Sequence, residues 1–304
     1  MGASGLRFSQ RASVLLGGGA WGKGRDWPLM TTTRHLLLPT AACRVAVHID
    51  GPADGPVVLL AHAILSSSVL WHRQAGWLAA EGWRVLRPDT RGHGRSEAPS
   101  PPSLPWRMGD LARDVVEILD ALDIRAAHYI GLSLGGMCGF ALAERHPERL
   151  ASLCLCDCRA DAPAAFAQPW DERIALVEAQ GCEALAGPTI ERWLGRSFIE
   201  AHPAEARALH AAAAGTSRAG MVGCARAIQQ LDHRAAARGI HVPTTLIAGA
   251  NDGGLPDAMR ELQAEILGAS LEIVPDAGHL PNIDQPERFD AALRAHLRLA
   301  RQAA

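Results

Sequence analysis

Ser133 stands in a turn that suits an oxygen nucleophile. Residues 128–136 read HYIGLSLGG, an apolar run followed by a Gly-x-Ser-x-Gly motif. A strand that turns directly into a helix brings two backbones close together and strains the central residue, which Gly131 and Gly135 permit. The turn lifts the serine hydroxyl clear of the strand and aims the first helical amides at the atom under attack. The motif therefore predicts that Ser133 is a nucleophile.

A serine hydroxyl needs a base, which is nearly always a histidine oriented by a buried carboxylate. His279 lies in the loop PDAGHLP after a predicted strand, and Asp252 lies in the turn GANDG after another. We therefore predict that His279 is the base and that Asp252 orients it. Asp157, at the end of a further predicted strand, is the alternative acid. His62 and His93 lie in turns before Ser133 and are interpreted as structural or oxyanion-loop residues.

The oxyanion formed by such an attack needs two hydrogen-bond donors. The residue after the nucleophile supplies one amide in this arrangement, which here is Leu134. The second must come from the loop after the apolar run at 57–63, where the chain reads HAILS. We predict that the Ile64 amide is this second donor.

The residues around these positions predict the elements that carry them. Short apolar runs at 43–49, 57–63, 84–88, 127–132, 152–157, 244–248 and 270–274 predict strands, with helical segments between them. Alternating strands and helices indicate an α/β fold, a mostly parallel twisted sheet with helices on both faces. Helical periodicity at 111–122 before the serine turn, and at 137–146 after it, gives the strand, turn and helix that the motif requires.

A helical cap is predicted at about 160–239, where strand signals stop and alanine-rich helices follow. A cap belongs over the carboxyl ends of parallel strands, where ligands bind and water must be excluded. Its large apolar residues are candidates for lining a substrate pocket, or they only join the cap helices to each other. These residues are Trp170, Trp193, Phe198 and Met221. Cap arginines that could bind an anionic substrate are Arg173, Arg192, Arg196, Arg218 and Arg226.

Composition bounds the rest of the interpretation. The chain has 304 residues, 48% of them hydrophobic, which suits one domain over residues 35–304. A formal net charge of −2 gives no electrostatic reason to expect nucleic acid or an anionic membrane as partner. Seven scattered cysteines favour a reducing, cytoplasmic location without disulfides, and their spacing favours small buried side chains over a metal site. No apolar run reaches the length of a membrane span.

Residues 1–34 are predicted to be a disordered N-terminal extension. They contain Arg7, Arg11 and a glycine cluster but no acidic residue before Asp26. A transit peptide has a similar composition. We favour an upstream extension outside the fold, with Met30 opening the natural protein.

From about residue 40 to 302 the chain resembles the α/β-hydrolase superfamily. The resemblance includes the triad order Ser133, Asp252, His279, the segment RPDTRGHGRS at 87–96 and the helix end ERHPER at 144–149. Within the superfamily the chain is most similar to 3-oxoadipate enol-lactonases, which hydrolyse an enol-lactone without a cofactor. It departs from the common pattern at Ala63, because the superfamily usually has glycine after the oxyanion-loop histidine.

Together these features predict a cofactor-free serine hydrolase that cleaves a small-molecule ester or lactone through an acyl-enzyme, without a metal. The resemblance implies enol-lactonase-like activity. A general carboxylesterase, a perhydrolase or an acyltransferase would use the same triad, and a binding protein that has lost turnover would keep the pocket. The sequence leaves open whether the chain forms a homo-oligomer.

Overall fold

A nine-stranded sheet forms the centre of the part that the computed structural model describes, residues 13–14, 33–100 and 105–303. The strands are β1 (Ser13–Val14), β2 (Arg34–Pro39), β3 (Arg44–Asp50), β4 (Val57–Ala61), β5 (Arg84–Pro88), β6 (Ala127–Leu132), β7 (Leu150–Cys156), β8 (Thr244–Gly249) and β9 (Ser270–Val274). Their order across the sheet is β1-β2-β3-β5-β4-β6-β7-β8-β9.

Strands β5, β4, β6, β7, β8 and β9 run parallel, and β1, β2 and β3 join the sheet antiparallel. Every residue of β6 and β8 is buried, as expected for strands covered on both faces. Because the parallel strands share one direction, the loops after β4, β6, β7, β8 and β9 meet at one edge. We call this the carboxyl edge of the sheet.

The helices divide into those that cover the sheet and those that form the cap. The first group is α1 (His72–Ala80), α2 (Met108–Ala121), α3 (Leu134–Arg145), α10 (Leu255–Glu265), α11 (Pro281–Asp284) and α12 (Pro286–Ala303). The second group lies between β7 and β8 and is α4 (Ala164–Ala167), α5 (Pro169–Gln180), α6 (Glu183–Ala201), α7 (Pro203–Ala214), α8 (Arg218–Gln229) and α9 (Arg234–Ala237). Short 3₁₀ helices occur at Ser68–Trp71 and Pro147–Arg149.

The predicted fold class is confirmed, and the sheet has one more substantial strand than the sequence indicated. Strand β2 pairs with β3 over six positions from Arg34 to Pro39. Its central residues are three consecutive leucines, so the polar alternation that marks a half-buried strand is missing. Of the predicted N-terminal extension, only Ser13–Val14 and residues 33–34 are described. The remainder of that prediction lies outside the described residues.

The structure also shows the state of the cysteines and allows a search for membrane-spanning helices and metal ligands. All seven cysteines are free thiols, and six of them are buried. In the described ranges, no helix is long and apolar enough to cross a membrane, and no cluster of three or more potential metal ligands is found.

Candidate active site

Ser133 occupies the turn between β6 and α3 in a strained backbone conformation. Its φ is +54°, a region that side chains other than glycine rarely adopt. The turn is closed by its amide, which donates a hydrogen bond to the Cys156 carbonyl at 2.8 Å. A β-carbon on Gly131 would lie 2.3 Å from the Gly135 carbonyl oxygen, and one on Gly135 would lie 2.3 Å from the Ala61 oxygen. Both glycines are therefore required for β6, α3 and β4 to approach this closely.

His279 and Asp252 are joined at the same carboxyl edge. The Nδ1 of His279 lies 2.6 Å from Asp252 Oδ2, which is the length of a strong charge-assisted hydrogen bond. Asp252 follows β8 in the turn 249–252, and His279 follows β9 in the loop 275–280. The two loops are tied by the Asn251 amide, which donates to the Ala277 carbonyl at 2.8 Å. With Nδ1 held by the carboxylate, Nε2 is the nitrogen that can act as a base.

Asp252 has the electrostatic character of a carboxylate that stabilises an imidazolium. Burial would raise its pKa, but His279 opposes burial through its charge and its hydrogen bond, and the result is a lowered pKa. The neighbouring Asp157 side chain and the positive charge of Arg192 lower the pKa of Asp252 further. The anionic form of Asp252 is therefore favoured next to His279.

Asp157, the alternative acid, has no hydrogen bond or ion pair with His279 among the described residues. It follows β7, is fully buried and has a φ of +42°. Its Oδ1 accepts a hydrogen bond from the Gly249 amide at 2.8 Å. Of the two candidate acids, Asp252 is therefore the one that contacts the histidine, and Asp157 is bonded to the start of the turn that carries Asp252.

The loop of His279 has a further support that the sequence did not reveal. Asp284, in α11, accepts a hydrogen bond from the Gly278 amide at 2.6 Å. Burial raises the pKa of Asp284 to about 6, against the opposing effect of that hydrogen bond. Nothing in the local pattern distinguishes Asp284 from the other acidic residues of the C-terminal helices, so only the tertiary structure reveals it.

The two predicted oxyanion donors lie on segments that are hydrogen-bonded to each other. The Gly135 amide, one residue after Leu134, donates to the His62 carbonyl at 3.1 Å. Leu134 is the first residue of α3, so its amide has no acceptor within the helix. Ile64 follows two residues after His62, and its amide has no acceptor among the described loop hydrogen bonds. Both amides are therefore available to an external oxygen.

The atoms predicted to react, the Ser133 hydroxyl and Nε2 of His279, are similarly unoccupied. In the described part of the chain, neither the Ser133 hydroxyl nor Nε2 of His279 has a hydrogen-bond partner. Both residues are nevertheless buried, with 6% and 7% of their surface exposed. Catalytic hydrogen bonds often tighten only when substrate is present. The arrangement can thus supply a nucleophile, a base oriented by a carboxylate, and two amide donors.

The cap residues predicted to line a pocket have different positions. Trp193, on α6, lies over His279 with ring centroids 5.7 Å apart, and its carbonyl accepts the His279 amide at 3.2 Å. Trp170 instead packs under the Arg173 guanidinium, and Phe198 stacks on His202. Met221 is fully buried in α8. Of these four residues, only Trp193 has a described contact with the triad.

The cap arginines differ in the residues that they contact. Arg196 pairs with Glu191, Arg226 with Asp171, and Arg218 donates to the Glu178 carbonyl. Arg173 and Arg192 form no ion pair or hydrogen bond with any described residue. Arg173 lies over the Trp170 ring, and Arg192 has no described contact of that kind. It precedes Trp193 and is solvent-exposed. Partial desolvation and the neighbouring Arg173 both lower the pKa of Arg192, while Asp252 opposes them.

His62 and His93 have contacts that agree with structural roles. His62 accepts the Thr90 amide at Nε2 over 2.8 Å, so its Nδ1 donates to the Ala63 carbonyl at 2.7 Å. His93 lies 3.1 Å from the Arg91 carbonyl through Nδ1. Burial lowers the pKa of both histidines, that of His93 to about 3. Both are therefore neutral and fixed within the fold.

Comparison with known proteins agrees with this geometry. Residues 56–286 match the α/β hydrolase fold family. The 3-oxoadipate enol-lactonase 2 of Acinetobacter baylyi is 32% identical over 246 residues, which are 81% of this chain and 90% of that protein. RutD of Variovorax paradoxus, whose name proposes carbamate hydrolysis, is 33% identical over 261 residues, covering 81% of this chain and 92% of RutD.

The fold of this chain is also similar to that of a solved enzyme structure. The enol-lactonase from Burkholderia xenovorans superposes with a TM-score of 0.79 at 32% sequence identity. The match covers 85% of this chain and 99% of that enzyme. The similarity therefore includes the cap as well as the sheet.

Proposed function

The chain belongs to the α/β-hydrolase superfamily, and on that premise we propose that it is a serine hydrolase of carboxylic esters and lactones. The observation that carries the proposal is the Asp252–His279 pair at the same carboxyl edge of the sheet as the strained Ser133 turn. The free Leu134 and Ile64 amides support it, because a proton-transfer pair without oxyanion donors would leave the developing charge unstabilised.

The reaction proceeds in two steps. His279 takes the proton of Ser133 as the serine oxygen bonds to the substrate carbonyl carbon, and the Leu134 and Ile64 amides hold the resulting oxyanion. The oxyanion collapses, the bond to the leaving oxygen breaks, and His279 returns the proton to that oxygen. In a lactone, the leaving oxygen stays attached to the acyl chain. Water, deprotonated by His279, then releases the acid from Ser133.

Within this class, we propose an enol-lactonase-like activity on a substrate that carries a carboxylate. Arg192 supports this choice, because it is a cation without a partner beside the triad. Arginine binds carboxylates through paired, charge-assisted hydrogen bonds. Trp193 supplies an apolar surface on the same segment, and its buried indole N–H has no acceptor among the described residues. A flat ring with an acidic side arm matches these features.

A panel of substrates tests the reaction class. The purified protein is given a carboxylate-bearing enol-lactone, the corresponding neutral methyl ester, p-nitrophenyl acetate and a simple carbamate, and acid release is followed by pH-stat. We expect turnover of the carboxylate-bearing enol-lactone, of its neutral methyl ester and of p-nitrophenyl acetate. The carbamate is included because of the RutD relative, and its faster turnover would favour that activity on the same triad. Absence of turnover on every substrate contradicts the proposal.

Substitution of Arg192 tests the substrate charge. For Arg192→Met we expect KM for the anionic lactone to rise roughly 10- to 100-fold, since a hydrogen bond between charged groups is lost. KM for the corresponding neutral methyl ester should stay within about threefold of the wild-type value. Arg196→Met is the matched control, because Arg196 lies on the same helix but pairs with Glu191. Equal effects of Arg192→Met on both substrates would exclude charge recognition by this residue.

A further inference from the structure

Asp157 is a buried carboxyl group that the reaction described above does not use. It is fully buried at the end of β7, and its amide donates to the Ile247 carbonyl at 2.9 Å. Its φ of +42° costs energy in any residue with a side chain. The presence of an aspartate in a strained conformation at this buried position requires a physical explanation.

The hydrogen bonds of Asp157 fit a neutral acid better than a carboxylate. Oδ1 accepts the Gly249 amide, whereas Oδ2 accepts nothing from the described residues, although it is fully buried. A buried carboxylate oxygen without a donor is strongly unfavourable. Oδ1 ties Asp157 to Gly249, at the start of the turn that carries Asp252, and a side-chain hydrogen bond between the two carboxyl groups is among the causes that shift the pKa of each. Two carboxyl groups can form such a bond only when one of them carries a proton.

The surroundings determine which of the two carries it. Asp252 is bonded to His279 and lies near Arg192, so its anion is stabilised by positive charge. Asp157 forms no ion pair with any described residue. Burial raises the pKa of Asp157 well above its usual value, and the negative charge of Asp252 raises it further. The Gly249 amide is the one stabilising donor, and it does not offset these effects.

Other titratable groups around Asp157 act in the same direction. Asp284 raises the pKa of Asp157. The neighbouring thiols of Cys156 and Cys158 are buried, which keeps them protonated, and Asp157 adds to that tendency. Burial and the neighbouring acidic groups therefore disfavour a negative charge on Asp157.

We propose that Asp157 is a positioning residue that acts as a neutral acid, donating a hydrogen bond from Oδ2 to the Asp252 carboxylate. This bond holds Asp252 against Nδ1 of His279 from the side opposite the imidazole. Because the Gly249 amide fixes the other oxygen, Asp157 links β7 to the turn that carries Asp252. The inference rests on the proposed function, since it assigns Asp252 as the orienting carboxylate.

Two substitutions at Asp157 separate this role from its rivals. Asp157→Asn retains an N–H donor in the same place, and asparagine tolerates a positive φ. We expect its kcat/KM to stay within about threefold of the wild type. Asp157→Gly suits the backbone and removes the donor, and its kcat should fall roughly 10- to 100-fold with little change in KM. Circular dichroism and thermal unfolding establish that both variants are folded.

Infrared spectroscopy detects the proton without any reaction. In D₂O near pH 8, where Asp284 with its pKa of about 6 is ionised, the wild type should show the C=O stretch of a buried carboxylic acid. The band should be absent from Asp157→Asn and should persist in Ser133→Ala. Because the band does not depend on turnover, it tests the inference even if the proposed function fails.

Each contrary result has a distinct meaning. Loss of activity in Asp157→Asn as large as that in Asp252→Asn would show that Asp157 works as an anion, and would overturn the inference. Unchanged kcat in Asp157→Gly, or the absence of the infrared band, would also overturn it. Full activity of Ser133→Ala would instead overturn the proposed function.

Discussion

The described core contains two buried groups of serine and histidine side chains, and only one has the features of a catalytic site. The edge site consists of Ser133, Asp157, Asp252 and His279 at the carboxyl edge. The inner chain is a hydrogen-bonded series across β6–β9 and α12. Its members are His128, Ser152, His296, Thr245 and Ser270, joined at successive distances of 2.8, 2.9, 3.0 and 2.9 Å.

The inner chain has the shorter Ser–His contact but lacks every other requirement. The Ser152 hydroxyl lies 2.9 Å from His296 Nε2, whereas the Ser133 hydroxyl has no hydrogen-bond partner in the described residues. Ser152 sits within a regular strand, and His296 is held by Thr245 instead of a carboxylate. Each side chain of the inner chain is already bonded to a neighbour. A serine and a histidine in contact therefore do not define a catalytic pair; unoccupied reactive atoms and an orienting carboxylate do.

The largest expected effect comes from removing one hydroxyl from each group. Ser133→Ala should lower kcat for the lactone on the order of 10⁶-fold, because the nucleophile is lost. Ser152→Ala, the matched control, should keep its kcat but lose about 1 to 3 kcal/mol of unfolding free energy, since two buried imidazole nitrogens lose a partner. Steady-state kinetics and urea unfolding of both variants measure this contrast. Equal activities would remove the distinction between the two groups.

Removing the orienting carboxylate is expected to have the next largest effect. Asp252→Asn should lower kcat on the order of 10⁴-fold, because an amide does not stabilise the imidazolium and favours the wrong tautomer. Asp257→Asn provides the control, as Asp257 is exposed on α10 and pairs with Arg260. Rates are measured on the neutral ester, so that binding of the substrate carboxylate is not involved. A loss below tenfold would mean that another group orients His279.

The smallest expected effect concerns pH and the inner chain. Burial lowers the pKa of His296 to about 4 from 6.5. The unfolded state then binds a proton more readily, so stability is complete above pH 6.5 and is lost as the pH falls toward 4. This loss amounts to about 3 kcal/mol. Urea unfolding from pH 7 to 4 should show this slope in the wild type and a weaker one in His296→Gln. Identical slopes would show that His296 does not titrate on unfolding.

Local patterns were sufficient to predict the fold class and the pairing of His279 with Asp252; the catalytic roles of the edge-site residues stay predictions. The Ser133 turn, the strands and the loops of Asp252 and His279 all depend on glycines, periodicity and order along the chain. Strand β2 was missed because its leucines do not alternate with polar residues, and its pairing with β3 is a tertiary interaction.

Other features depend on contacts between distant segments. Five cap arginines looked equivalent, and only the folded chain shows that Arg192 is without an ion pair while Arg196 has one. Asp157 was recognised as an alternative acid, but its hydrogen bond with the Gly249 amide follows from the pairing of β7 with β8. The inner chain left no signal, because its members are single polar residues on separate elements.

Covalent labelling tests most directly whether Ser133 is the reactive hydroxyl. The wild type, Ser133→Ala and Ser152→Ala are each incubated with a fluorophosphonate probe, digested and mapped by mass spectrometry. The account predicts a single modification on Ser133 in the wild type and in Ser152→Ala, and none in Ser133→Ala. Labelling at another residue, or an unlabelled but folded wild type, would contradict it.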